Sequence, residues 1–300
     1  MFGPNRLQAG DYGEYARAGR ELLKPPSPLT ANFLKVNVYP GTLDPAVDPS
    51  WNNRGNLEPS VWFSDFSVAV NNIGVAARVA KDAGMVGIAL DWEVYGANLW
   101  QYEEQVDIRE QKIDLKQALE RVRECGEQFI QAINREFPDM MLLIVPHAYG
   151  GRYGGDYELI WPFLEGLFAA ADSRMRIIDG NEDGYNARHI DEFRDLVNRT
   201  SGAKLPTPEL TKKYRHHIVS GVGVWLERNG WSDQPETRNI TPAHWEVKLR
   251  DAIRLAEGCV WVFNGGSGSL IPNWWEAKGS TPIVPPAYQD ATRRARDSTK

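Results

Sequence analysis

The chain has 300 residues, 42% of them apolar and 25% charged, with a net charge of −6 at neutral pH. That length can bury a large core, as one α/β barrel or two smaller domains. The acidic balance, with no basic run, argues against nucleic acid or an anionic membrane surface as a partner.

Residues Tyr12 to Leu23 read as a short helix stopped by Pro25 and Pro26, and Phe33 to Tyr39 as a strand ended by Pro40-Gly41. Thr42 to Pro59 is rich in Pro, Asn, Asp and Gly and predicts a long functional loop, with Trp51 in it and Trp62 just beyond. Phe66 to Ala83 repeats Ala69, Val70, Ile73, Ala76, Ala77 and Ala80 at helical spacing. Next comes the most informative stretch, Met85 to Gly96, an apolar run that ends in Asp91 and Glu93. Read as a strand, it puts Gly87, Ala89, Asp91 and Glu93 on one face, and Val86, Ile88, Leu90 and Trp92 on the other.

Gln111 to Phe137 predicts a long helix with Leu115, Leu119, Val122, Phe129, Ile130 and Ile133 inward, followed by a strand from Met140 to His147 and a glycine-rich loop. Leu159 to Ala171 is a helix, Met175 to Asp179 a strand, and His189 to His216 largely helical. His217 to Glu227 repeats the small-face design, with Gly221, Gly223, Trp225 and Glu227 on one side. A helix from Ala243 to Ala256, a strand from Gly258 to Asn264 and a terminal helix from Ala287 to about Arg296 complete the order.

Alternating strands and helices imply a parallel sheet with right-handed crossovers. The expected fold is α/β, a (β/α)8 barrel over 1–300 as a single domain. Only one clear strand precedes Met85, so its first strands are irregular or lie in a longer parent chain. A doubly wound open sheet is the alternative, although no Gly-x-Gly-x-x-Gly turn follows an early strand.

Strand ends carry the candidate chemistry: Asp91 and Glu93; His147 and Tyr149; Asp179, Asn181, Glu182 and Asp183; and Glu227. Barrel enzymes gather their active sites at such ends, and paired carboxylates there suit glycoside hydrolysis. Eleven Trp support that reading. Trp51, Trp92, Trp100, Trp231, Trp274 and Trp275 lie near turn-forming residues, where flat rings stack on sugar faces, whereas Trp161 and Trp245 sit in helical patterns and read as core.

Cys125 and Cys259 read as buried thiols, and the four His other than His147 lack ligand spacing, so neither a disulfide nor a metal is expected. No phosphate loop or nucleophile elbow occurs, and no cofactor is expected. Met1 to Arg6 forms no basic-then-apolar leader and no apolar run reaches spanning length, which predicts a cytoplasmic protein, or a secreted or periplasmic one if a leader was removed.

Gly87-Ile-Ala-Leu-Asp-Trp-Glu-Val-Tyr95 resembles the fourth-strand signature of family-18 chitinases, Asp-Gly-Ile-Asp-x-Asp-Trp-Glu-Tyr. The resemblance implies that Glu93 is the proton donor, Asp91 its partner, and Trp261 the sugar-stacking residue of the last strand. Val86 and Ala89 stand where that motif has its first two Asp residues. Asn181-Glu182 is similar to the acid/base pair of many retaining barrel glycosidases, which implies Glu227 as nucleophile. The run Asp179 to Tyr185, with Val260 to Phe263, Trp274-Trp275 and Pro286-Ala-Tyr288, resembles uncharacterised bacterial proteins of the barrel-hydrolase type.

The expected function is therefore cleavage of an oligo- or polysaccharide, with Glu93, Asp91, Glu182 and Glu227 as catalytic candidates. Trp51, His147, Tyr149, Asp179, Asn181, Trp225, Trp261 and Asn264 are the substrate-binding candidates. A glycan-binding barrel without turnover and a transglycosylase remain the alternatives.

Overall fold

The computed structural model describes residues 6–24, 32–37, 61–63, 65–92, 99–103, 105, 108, 110–149, 157–226, 240–263 and 285–299. Among them, in chain order, run α1 (Gly13–Leu22), β1 (Phe33–Asn37), α2 (Ser67–Asp82), β2 (Gly87–Asp91), α3 (Leu115–Glu136), β3 (Met141–Val145) and α4 (Ile160–Ala170). They continue with β4 (Arg176–Asp179), α5 (Ile190–Gly202), α6 (Pro208–His217), β5 (Ile218–Ser220), β6 (Val222–Trp225), α7 (Pro242–Leu255), β7 (Val260–Phe263) and α8 (Pro286–Asp297). The fold is α/β. One sheet has five strands in the order β1-β2-β3-β4-β5, and a second pairs β6 with β7. Strand order follows chain order, without the reversal that marks the switch point of a doubly wound sheet. No helix among the described residues is long and apolar enough to cross a membrane.

The chain divides into two compact units, 1–177 with 204–218, and 178–203 with 219–300. In the first, β1, β2 and β3 run parallel, with Phe33 opposite Gly87 and Gly87 opposite Met141. The alternation expected of β2 holds: Ile88, Leu90 and Trp92 are buried, whereas Ala89 and Asp91 are partly exposed. The regular strand stops at Asp91, although the Trp92 N–H still donates to the Val145 carbonyl at 2.9 Å.

Helix α3 begins at Leu115, later than expected, because Asp114 caps it. The Asp114 carboxylate accepts the Gln117 N–H at 2.9 Å, and the Gln117 side chain accepts the Asp114 N–H at 3.1 Å. This reciprocal pairing satisfies two backbone donors that a helix start otherwise leaves open. Leu115 is consequently at the first helical position and 42% exposed, which corrects its inward assignment. Val122, Phe129, Ile130 and Ile133 do face inward.

Trp62, Trp92, Trp100, Phe129 and Phe163 form one aromatic cluster, with ring centroids 5.2–5.9 Å apart in the Trp62–Trp100, Trp92–Trp100, Trp92–Phe129, Trp92–Phe163 and Phe129–Phe163 pairs. The Trp62 indole N–H donates to the Leu99 carbonyl at 2.8 Å, and the Trp100 indole N–H to the Trp92 carbonyl at 3.1 Å. Trp92 and Trp100, expected to offer faces to a sugar from loops, are thus core residues.

In the second unit β6 and β7 run parallel, Val222 opposite Val260 and Trp225 opposite Phe263. Their valines (222, 224, 260 and 262) pack with Phe193 and Leu196 of α5, Trp245 and Leu249 of α7, and Ala291 and Ala295 of α8. Trp245 is core, as expected, and its indole N–H donates to the Thr292 hydroxyl at 3.0 Å.

The stretch read as one strand from His217 to Glu227 is two, because it changes partner at Gly221. The Gly221 N–H goes to the Asp179 carbonyl at 2.8 Å, while the Val222 N–H goes to Cys259 at 3.0 Å. A side chain at 221 would meet that Asp179 carbonyl at 2.6 Å, so the crossing point admits only glycine.

Candidate functional site

In the first unit, the strand ends place three of the expected residues differently. Asp91, at the end of β2, keeps 21% of its side chain exposed and pairs with Lys35 of β1 at 3.3 Å. His147, just beyond β3, is 4% exposed. Tyr149 turns toward the helices: its ring lies 5.1 Å from Trp161 and 6.0 Å from Tyr214, and its hydroxyl is hydrogen-bonded to Glu165. Burial pushes the Tyr149 phenol up to about 12, with the Glu165 carboxylate adding to the effect. Burial likewise raises Glu165, against the pull of Arg123 at 3.0 Å. This Tyr-Glu-Arg group ties Tyr149 to α4 and α3.

The second unit brings five of the expected residues into one constellation: Asp179, Asn181, Glu182, Trp225 and Trp261. Strand β4 ends at Asp179, and after Gly180 the chain passes through Asn181, whose φ of 42° is left-handed, into a single 3-10 turn from Glu182 to Tyr185. Asn tolerates that region better than most residues with a Cβ. The turn is held from several sides. Asp179 Oδ1 accepts the Asn181 N–H at 3.2 Å, and Asp179 Oδ2 accepts the Thr200 hydroxyl at 2.5 Å. The Asn181 carbonyl accepts the N–H groups of Gly184 at 3.2 Å and Gly223 at 3.1 Å. Lys248 of α7, fully buried, donates to the Tyr185 carbonyl at 2.6 Å.

On this scaffold the Tyr185 hydroxyl donates to Glu182 Oε1 at 2.9 Å and so sets the direction of the carboxylate. The Tyr185 ring stands 5.5 Å from Trp225, 5.7 Å from Trp261 and 5.9 Å from Phe263. Trp261 lies across the sheet. Its indole N–H reaches the Gly180 carbonyl at 2.7 Å, and a Cβ at Gly223 would come within 2.9 Å of its ring. The small face foreseen for 221, 223 and 225 is therefore the seat of an indole. Asn181, 3% exposed, has a buried Oδ1 without a hydrogen-bond partner among the described residues. Such an acceptor is costly unless a ligand or water supplies a donor.

Glu93, Glu227, Trp51 and Asn264 lie outside the described residues, as do Trp231, Trp274 and Trp275. Among the described residues no three His, Cys, Asp or Glu side chains gather as they would to hold a metal ion. Sequence reasoning assigned no role to Tyr185, Thr200, Lys248 or Phe263. Only Tyr185 left a signal, three residues beyond Glu182 and so able to reach it within one turn. Comparison with family models, curated proteins and solved structures finds no match to this chain.

Proposed function

We propose that the chain is a glycoside hydrolase of (β/α)8 barrel type that cleaves an oligo- or polysaccharide. The observation that carries this reading is Glu182, a carboxylate aimed at 2.9 Å by the phenol of Tyr185, whose ring packs against those of Trp225 and Trp261. Aromatic faces suit the C–H surfaces of sugar rings, and an oriented carboxylate suits an oxocarbenium-like centre. The barrel reading draws on strands that follow chain order with a helix at each crossover, and on valine faces turned to those helices.

In this reading Glu93 donates a proton to the leaving oxygen and Asp91 orients it. Glu182 or Glu227 acts as the second carboxylate, either stabilising the developing positive charge or serving as nucleophile or base. Trp225 and Trp261, with Trp51, stack on the substrate, and His147, Asn181 and Asn264 are the polar groups that would select it.

The test is reducing-end release across a broad glycan panel, wild type beside Glu93→Gln, with binding measured on the same panel. Hydrolysis that falls by about 100-fold or more in the variant, with binding retained, supports the assignment. Binding without turnover in the wild type moves the chain to the glycan-binding class. Transfer products in place of free reducing ends make it a transglycosylase.

A further inference from the structure

We infer that Thr200 is a positioning residue for Glu182, acting through Asp179 and the left-handed backbone of Asn181; the inference rests on the carboxylate role proposed above for Glu182. Asp179 was expected to bind substrate from the end of its strand. Instead both of its oxygens accept hydrogen bonds from within the protein, and the residue is 2% exposed. The donor on Oδ2 is the hydroxyl of Thr200, also 2% exposed, near the C-terminal end of α5. At 2.5 Å this is at the short end of the range for a hydroxyl donating to an oxygen.

The other oxygen, Oδ1, holds the Asn181 N–H, at a residue whose φ of 42° carries a steric cost in any residue with a Cβ. From Asn181 the constraint passes on, because its carbonyl accepts from Gly184 within the 3-10 turn and from Gly223 of β6. Glu182 is the first residue of that turn. Removing the Thr200 hydroxyl takes a donor from a buried carboxylate, which must rotate or draw in water to recover it. Rotation loosens the hold on Asn181, and the turn that aims Glu182 at Tyr185 is then free to relax. A helix-to-strand contact made only for stability would be served as well by an apolar pair of the same shape.

The experiment compares Thr200→Val, nearly isosteric but without the hydroxyl, with Thr200→Ser, which keeps it. Each is measured for folding by circular dichroism, for kcat and KM on the best glycan of the panel, and by crystal structure. Thr200→Ser is expected to keep kcat within about twofold of wild type, while Thr200→Val loses on the order of 10–100-fold in kcat with KM little changed. In the Thr200→Val crystal, Asn181 is expected to leave positive φ, or Glu182 to part from the Tyr185 hydroxyl.

A folded Thr200→Val with wild-type kcat overturns the inference, and so does one in which only KM rises, since that assigns Asp179 to substrate. If Thr200→Val does not fold, Thr200→Ala is read in the same way. If the wild type is inert on every glycan, the proposed function fails by itself. The crystal structures still decide the inference, which an unmoved turn in Thr200→Val contradicts.

Discussion

Two aromatic groups in this chain use the same residue types to opposite ends. In the first unit Trp62, Trp92, Trp100, Phe129 and Phe163 are each at most 1% exposed. In the second, the ring of Tyr185, whose hydroxyl holds Glu182, packs against Trp225, Trp261 and Phe263; Trp225 and Trp261 are half-buried and Phe263 is 37% exposed. What separates them is the strand face and what lies opposite it. Trp92 follows Ile88 and Leu90 on the bulky face of β2 and meets Phe129 of α3 and Phe163 of α4. Trp261 lies on the face opposite the valines of β6 and β7, where Gly223 leaves room for the indole to lie across the sheet. Tryptophan content alone therefore does not separate core indoles from partly exposed ones. Position in the alternation, together with a glycine on the neighbouring strand, is the better signal.

The comparison breaks most visibly at Phe163, which touches Trp62, Trp92, Trp100 and Phe129. Phe163→Ala should destabilise the fold by about 3–5 kcal/mol, measured by urea unfolding, because the cavity it leaves cannot fully collapse. Glycan affinity of the folded fraction should be unchanged if this cluster is core alone. Gly223→Ala probes the other group. Its new methyl meets the Trp261 ring and should cost about 1–3 kcal/mol through overpacking, with weaker glycan binding in titration calorimetry as the indole is displaced.

A smaller effect is expected at His217 of α6. Burial holds its imidazole below the ordinary 6.5, and nearby His216, Arg176 and Lys213 act in the same direction. The folded state then binds fewer protons than the unfolded one, so this contribution to stability is present above pH 6.5 and is lost as pH falls toward the lowered folded value. His217→Asn, whose amide retains a donor for the Met175 carbonyl that His217 Nδ1 contacts at 3.1 Å, should show a flatter urea midpoint between pH 7.5 and 5. An equal slope in both proteins would place the titration elsewhere.

Much of this architecture is legible in the residues. The helical spacing of α2, the bulky face of β2 and the small face of β6 all follow from side-chain period, and the structure keeps them. The burial of Trp100 was not legible, because it depends on Phe163, sixty-three positions away in the chain, and no local pattern encodes that contact. Nor was the division of β5 from β6, which arises from a change of hydrogen-bond partner at Gly221. In the site, the Asp179 to Glu182 run announced itself by composition. Its support did not, since Thr200 and Lys248 sit in helices with ordinary helical sequence and act only through the fold.

The most direct test of the central claim is the turnover of Glu182→Gln on the glycan that the wild type cleaves best. The account predicts a fall in kcat of about 100-fold or more, with an unchanged melting temperature and retained binding, because the amide keeps the shape and the bond from Tyr185 but loses the charge. Wild-type turnover in Glu182→Gln would contradict it, and would return the second carboxylate to Glu227.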